Sequence, residues 1–227
     1  MKNVLEKFVD PNFWLAQKNN IRNYYFDLFV VQRKKLLINY AITSLVMIII
    51  FGISFGLRQH YLNLTFAANF NQATTKIAAN TGISFGLLSN NAAAVYVLQI
   101  IPVILTGIIL IHNTKYYNAI AVTLVFASGM SNFIDRLVPD YFGTNLDKTQ
   151  LVDNNLYLAV NAVVDYWTID NNSIFNFPDV FILIGIGLVV LGSFYFSWQD
   201  AKARLNQIKA EEAAESENND QQKKVQS

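Results

Sequence analysis

The chain of 227 residues is 53% hydrophobic and only 15% charged, whereas a typical soluble domain has roughly 25% charged residues. It contains no cysteine and two histidines, which excludes disulfides and thiol nucleophiles within it and leaves too few ligands for most metal sites. The formal net charge of +1 argues against a nucleic-acid partner. A chain with this apolar excess is expected in a membrane.

Four charge-free segments are long enough to cross a bilayer, because about 20 helical residues span the roughly 30 Å of hydrocarbon. They are Leu36–Leu57, Ala92–Ile111, Tyr116–Ile134 and Val180–Trp198. Buried helices of a soluble protein are the alternative, but such helices carry a polar face. The second segment offers only Gln99, Thr106 and the Tyr96 hydroxyl. We therefore predict an all-α integral membrane protein with four transmembrane helices.

Lys and Arg residues are distributed unevenly between the two sides of such a bundle. Of the 17 in the chain, only four fall on the side opposite the two termini: Arg58, Lys76, Arg136 and Lys148. Because positive charge is enriched on the cytoplasmic side of membrane proteins, we predict that both termini are cytoplasmic. The two long loops, residues 58–91 and 137–173, would then face outward.

The predicted organisation has three parts. Residues 1–35 form a cytoplasmic lead of mixed aromatic and basic composition, suited to lie on anionic lipid or simply to anchor the chain. Residues 36–198 form the membrane domain, and residues 199–227 a cytoplasmic tail, which from Glu211 lacks apolar residues and is predicted to be disordered. The outward loops are rich in β-branched and aromatic residues, which predicts a small extracellular platform of strands and loops.

Three Asp residues have apolar neighbours that bring them to the membrane edge: Asp135, Asp165 and Asp179. Ionisable groups at membrane depth are costly and mark candidate functional sites. Two carboxylates brought together there share a proton and can activate a water for attack on an amide. A cap on the following helix is the alternative role for Asp179. The residues alone leave both roles open.

Four short motifs occur in order along the chain. "NTGISFG" (80–86), "SNFIDR" (131–136), "VVDYW" (163–167) and "IFNFPDVFI" (174–182) resemble N-x-G-x-x-F-G, G-N-x-x-D-R, V-V-D-F and F-N-x-A-D-x-x-I of the lipoprotein signal peptidases, or signal peptidase II. Each motif alone is weak, but together with four helices they make a specific match. The chain departs from the family at Ser131, where the motif has Gly, and at Pro178, where it has Ala. Proline is compatible with the first turn of a helix.

The resemblance implies an aspartyl endopeptidase of the bacterial cell membrane that cleaves the signal peptide from diacylglyceryl-modified prolipoproteins, just before the lipidated Cys. It implies that Asp165 and Asp179 are catalytic. Asp170 is a rival for the first position, because the spacing between motifs differs from that of the family. Substrate-binding roles are implied for four residues of the same motifs: Asn80, Asn132, Arg136 and Asn176.

We expect the partners of such a protein to be prolipoproteins and membrane lipid, and expect it to act as a monomer without a metal or cofactor. A different class of function is a non-enzymatic four-helix membrane protein that binds or transports lipoproteins. A transport path needs polar groups near the middle of the bilayer. The centres of the predicted helices are almost wholly apolar, which favours the peptidase.

Overall fold

The computed structural model describes residues 11–65, 77–83, 87–138, 140–142, 151–152, 156–159, 161–169 and 173–225. Within these ranges the α-helices are α1 (Pro11–Phe26), α2 (Arg33–Thr65), α3 (Ala92–His112), α4 (Tyr116–Leu137) and α5 (Phe177–Val225), with a π-helical segment (Asp27–Val31) between α1 and α2. The strands are β1 (Ala78–Asn80), β2 (Asp140–Phe142), β3 (Leu151–Val152), β4 (Leu156–Ala159), β5 (Val163–Asp165), β6 (Trp167–Thr168) and β7 (Ile174–Phe175).

Four helices are long and apolar enough to cross a membrane: α2, α3, α4 and the part of α5 from Phe177 to Glu212. Each begins at, or within one turn of, the start predicted from the sequence. The protein is therefore a multi-pass membrane protein, as predicted. In an apolar stretch of 18 residues, half of α4 is buried, against 17% in the corresponding stretches of α2 and α3. Helix α4 is therefore the central helix, and α2 and α3 pack against it.

Small side chains allow the neighbouring helices to approach α4 closely. Ala121, Ala127 and Ser128 are fully buried along it, and residues of this size are typical of contacts between membrane helices. The first turns of α5 pack as tightly. A Cβ atom at Gly185 would lie 2.7 Å from a methyl group of Val125 and 2.9 Å from the Ala121 carbonyl oxygen.

The strands form three small antiparallel sheets. Strand β1 pairs with β5, so that Asn80 lies opposite Val163 and Ala78 opposite Asp165. Strands β2, β4 and β3 form a second sheet in that order. Strands β6 and β7 pair with Trp167 opposite Phe175, which returns the chain from Asp165 to the start of α5. These sheets confirm the predicted β and loop platform.

The tail differs from the prediction of disorder. Helix α5 continues through it to Val225. The chain divides into two compact units, Met1–Ile186 and Gly187–Ser227. The tail consists mainly of Ala, Glu, Gln, Lys and Asn, and the first four of these are strong helix formers. A helix that has already formed extends through such residues without a new nucleation step, although they have no apolar face to bury.

At the end of the bundle where α3 runs into α4, neutral polar groups hold the helices together. The Asn39 side-chain amide donates to the Asn113 carbonyl at 2.8 Å, and the Tyr40 hydroxyl donates to the Ile111 carbonyl at 2.7 Å. The preceding α1 carries exposed Trp14, Ile21 and Phe26 near Lys18 and Arg22. That composition suits a lipid surface, and the role of the lead stays a prediction.

Candidate active site

Four elements meet at the other end of the bundle: the C-terminal turns of α4, strands β1 and β5, and the start of α5. Together with the residue that precedes α5, they carry all six residues singled out from the motifs, which are Asn80, Asn132, Arg136, Asp165, Asn176 and Asp179. Hydrogen bonds join the six into one network. The rival catalytic residue, Asp170, lies outside the described residues.

Asp165 ends strand β5 and is only 3% exposed. Its two carboxylate oxygens accept hydrogen bonds from the side-chain amides of Asn80 at 3.1 Å and Asn176 at 3.0 Å. Burial, followed by the negative charge of Asp179, raises the pKa of Asp165 to about 7, although the two amides and Arg136 act in the opposite direction. This carboxyl is therefore placed to hold or release a proton near neutral pH.

Asp179 lies in the first turn of α5 and forms a capping box with Asn176. The Asn176 side-chain oxygen accepts from the Asp179 amide at 2.9 Å, and an Asp179 carboxylate oxygen accepts from the Asn176 amide at 3.2 Å. This reciprocal pair satisfies two donors at the helix start. Pro178 fits between them because it has no N–H to satisfy. The capping role suggested by the sequence is therefore present.

Capping does not use all of the Asp179 carboxylate. Its second oxygen accepts from the Asn132 side-chain amide at 2.8 Å. The Asn132 oxygen in turn accepts from Asn176 at 3.0 Å, and the same Asn176 nitrogen donates to Asp165. Asn176 therefore links both carboxylates directly. Asp179 is only partly buried, which makes it the more accessible of the two.

Arg136 holds the loops around this pair. Its Nε donates to Gln99 at 2.7 Å, and its Nη1 donates to the carbonyl oxygens of Asn80 at 3.1 Å and Asn161 at 2.9 Å. Its Nη2 donates to the Gly82 carbonyl. The guanidinium is thus surrounded by protein acceptors and only 4% of the residue is exposed. Its predicted contact with substrate stays a prediction.

Sequence reasoning missed two residues that complete this arrangement. The Tyr96 hydroxyl lies 2.8 Å from both the Arg136 carbonyl and the Asn161 side-chain oxygen. Asn161 has a φ of 58°, a left-handed conformation that Asn tolerates better than most residues. A signal for Tyr96 was available, because it lies three residues before Gln99 on one face of an otherwise apolar helix.

Asp135, the first carboxylate of "SNFIDR", is directed toward a different helix. Its carboxylate lies 3.4 Å from the Nε of Arg58 in α2, with both side chains largely buried. This ion pair ties α2 to α4. Among the described residues no group of three His, Asp or Glu side chains is placed to hold a metal ion.

The family model for signal peptidase (SPase) II matches residues 14–195 of the chain. The chain belongs to the signal peptidase II family. A lipoprotein signal peptidase of Malacoplasma penetrans (strain HF-2) is 39% identical over 137 residues, which cover 56% of this chain and 52% of that protein. One of Helicobacter pylori (strain HPAG1) is 32% identical over 133 residues, covering 58% of this chain and 70% of that protein. The family predicted from the four motifs is confirmed.

The alignment with some members of the signal peptidase II family covers only part of their length. The aligned region covers 50% of the lipoprotein signal peptidase of Mycoplasmoides gallisepticum (strain R(low / passage 15 / clone 2)), which is 28% identical, so the chain spans about half the length of the first curated relatives. A solved structure described as "Bacterial membrane enzyme structure by the in meso method at 2.3 A resolution" matches with a TM-score of 0.50 at 19% identity, over 69% of this chain and 90% of that one. It supports the membrane fold alone.

Proposed function

We propose that this protein is a membrane aspartyl endopeptidase that removes the signal peptide from diacylglyceryl-modified prolipoproteins, cutting just before the lipidated Cys. The observation that carries the proposal is the carboxylate pair, Asp165 and Asp179, joined through Asn176 at the end of the membrane helices. Membership of the signal peptidase II family supports the same activity.

The two carboxyl groups differ in a way that suits acid and base roles. Asp165 is the more buried one and its pKa is raised to about 7, so it is the better holder of a shared proton. Asp179 is partly exposed and receives N–H donors at a helix N-terminus, where negative charge is favoured. We assign Asp179 as the general base and Asp165 as the acid.

The reaction follows from these assignments. Asp179 removes a proton from a water molecule as the water oxygen adds to the scissile carbonyl carbon. Protonated Asp165 transfers its proton to the carbonyl oxygen, which gives a neutral tetrahedral diol. The C–N bond then breaks, the leaving amine of the Cys takes the proton from Asp179, and Asp165 recovers a proton from the diol. The pair returns to its starting state with one shared proton and no cofactor.

The position of the pair suits a substrate that stays in the membrane. Each buried methylene of an acyl chain contributes about 0.8 kcal/mol to membrane binding, so a diacylglyceryl group keeps the cleavage site at the bilayer surface. The carboxylates lie where α4 ends and α5 begins, with the short strands beside them. A peptide bond next to the lipid anchor can therefore reach the pair without leaving the bilayer.

Orientation and organisation are part of the proposal. Both termini face the cytoplasm, and the carboxylate end of the bundle faces outward in a bacterial cell membrane, in agreement with the asymmetry of Lys and Arg. Residues 36–198 constitute the peptidase domain, between the lead (1–35) and the tail (199–227). The protein acts as a monomer on prolipoproteins.

The test is cleavage of a diacylglyceryl-modified prolipoprotein by the purified full chain in lipid nanodiscs, with the products identified by mass spectrometry. We expect Asp165→Asn and Asp179→Asn each to lower kcat by at least ~10³-fold, because each removes one partner of the proton exchange. Asp200→Asn is the matched control, since Asp200 is exposed on α5 and should leave the rate unchanged.

Two outcomes would overturn parts of the proposal. Full activity of Asp165→Asn with loss of activity in Asp170→Asn would move the acid role to Asp170. An intact lipidated substrate after incubation with folded wild-type protein would favour the non-enzymatic alternative.

A further inference from the structure

Tyr166 directly follows Asp165 and is buried, with 4% of the residue exposed. The matching motif, V-V-D-F, has Phe at this position, so the hydroxyl is an addition in this chain. The Tyr166 ring stacks on the ring of Tyr61 from α2, with centroids 4.4 Å apart and planes 9° from parallel. The aromatic ring therefore has a packing role, and the hydroxyl needs a separate explanation.

The hydroxyl reaches the helix that carries the other carboxylate. It accepts a hydrogen bond from the backbone amide of Phe177 at 3.1 Å. Phe177 is the first residue of α5, and the first amides of a helix have no partner within it. Asp179 lies two residues further on. One side chain thus connects the residue after Asp165 to the turn that carries Asp179.

The backbone between the two carboxylates is held at a second point. The Tyr166 amide donates to the Phe175 carbonyl at 3.1 Å. Trp167 packs edge-on against Phe175 and Phe177, with ring centroids 6.1 Å and 6.2 Å apart, and its Nε1 donates to the Tyr61 hydroxyl at 3.1 Å. These contacts hold the chain just before α5 and at its first residue.

We propose that the Tyr166 hydroxyl is a positioning group for the carboxylate pair: by holding the Phe177 amide, it fixes the distance and orientation of Asp179 relative to Asp165. The inference rests on the proposed peptidase function. The strength with which two carboxyls share a proton depends on their separation. A looser α5 terminus would therefore weaken the coupling on which the reaction depends.

The hydroxyl acts as a neutral group. Burial raises the pKa of Tyr166 above its ordinary value, so it does not ionise in the range where the carboxylates titrate. The titratable groups that influence it are Tyr61 from α2, Asp135 from α4 and the neighbouring Asp165. A change at Tyr166 would thus be seen in the titration of the pair and not in that of its own hydroxyl.

The test is Tyr166→Phe in the full chain, which keeps the stacked ring and removes the hydrogen bond. We expect kcat for the lipidated prolipoprotein to fall about 5- to 20-fold with KM within about twofold, because small misplacements of reacting groups lower the rate strongly. The acidic and alkaline limbs of the pH–rate profile should move closer together, since weaker coupling brings the two macroscopic pKa values together.

The matched control is Tyr40→Phe, which removes a hydroxyl bonded to the Ile111 carbonyl at the other end of the bundle. It should keep the wild-type kcat and both pH limbs. If Tyr166→Phe also keeps them, or only lowers thermal stability, the hydroxyl has a structural role and the inference is wrong.

A second readout separates this inference from the proposed function. Infrared spectroscopy of the protonated carboxyl band follows the titration of the pair without any substrate. If wild-type protein does not cleave the prolipoprotein, the proposed function fails. In that case the infrared titration alone tests the inference. A change in the pH at which that band disappears in Tyr166→Phe supports it, and an unchanged pH shows that it is wrong.

Discussion

The two ends of the helix bundle are both tied together by buried asparagines, but among the described residues only one end brings two carboxylates into one hydrogen-bond network. Where α3 runs into α4, Asn39 donates to a backbone carbonyl, and among the described atoms its own side-chain oxygen has no hydrogen-bond partner. At the other end, Asn132 and Asn176 use both their nitrogen and their oxygen atoms around Asp165 and Asp179. In this protein a buried Asn therefore belongs to the candidate catalytic site where its side-chain amide donates a hydrogen bond to a carboxylate.

The difference has a physical basis in what each end must solvate. An unsatisfied neutral amide oxygen costs roughly 1–3 kcal/mol, which a well-packed helix contact can offset. An unpaired carboxylate in a dry site costs considerably more, so it needs several donors directed at it. The dense network around Asp165 and Asp179 supplies such donors, whereas the Asn39 contact needs only to hold helices together.

The largest change in stability is expected for Arg136→Met. The substitution keeps much of the aliphatic volume but leaves the carbonyl oxygens of Asn80, Gly82 and Asn161 without their donor. Several buried acceptors lost at once should lower the free energy of unfolding by about 3–5 kcal/mol, measured by denaturant titration in micelles. Arg22→Met, on the exposed face of α1, is the control. A loss below about 1 kcal/mol would show that Arg136 does not hold the loops.

A second prediction concerns pH. Burial raises the pKa of Asp165 from its ordinary 3.8 to about 7, so the folded state binds this proton more tightly than the unfolded state does. The resulting stability is fully present below the ordinary pKa and is lost as pH rises through the folded pKa. Between about pH 4 and pH 8, wild type should lose up to ~4 kcal/mol relative to Asp165→Asn.

Unfolding free energies of both proteins across that pH range measure this effect. Asn39→Ala is the control from the other end of the bundle and should show the pH dependence of the wild type. Parallel curves for wild type and Asp165→Asn would mean that Asp165 does not hold a proton in the folded protein.

The helices and the site differ in how far the sequence predicts them. Charge-free length is a local property, so the starts of the four membrane helices follow directly from the sequence. The six site residues were found through motifs and not through chemistry, because the residues alone left Asp179 as either a cap or a catalytic group. The structure has it cap α5 with one carboxylate oxygen while the other contacts Asn132.

What the sequence does not predict are contacts between backbone groups and distant side chains. The acceptors of Arg136 include backbone carbonyl groups from two loops that lie far apart in the chain. Every residue has such a group, so the residue types do not indicate which carbonyl is the acceptor. Similarly, the pairing of Asp135 with Arg58 crosses from α4 to α2. Asp135 is adjacent to Arg136 in the sequence, and its neighbours there do not indicate that its partner is Arg58.

The smallest change in stability, and the most direct test of the comparison, comes from removing one buried Asn at each end. Asn39→Ala removes one hydrogen bond together with an unsatisfied oxygen, and Asn176→Ala removes a helix cap. Each should lower the unfolding free energy by about 1–2 kcal/mol. Activity should separate them: only Asn176→Ala loses a side-chain amide that donates to a carboxylate of the pair, that of Asp165, and its kcat should fall about 100-fold.

The two rates should be compared per folded molecule, at a temperature where both variants remain folded. Asn39→Ala is expected to cleave the prolipoprotein at the wild-type rate because its hydrogen bond lies at the far end of α4 from the carboxylates. Equal losses of kcat in the two variants would mean that tight helix packing, and not the arrangement of amides around the acids, sets the rate. In that case the distinction between the two ends would no longer hold.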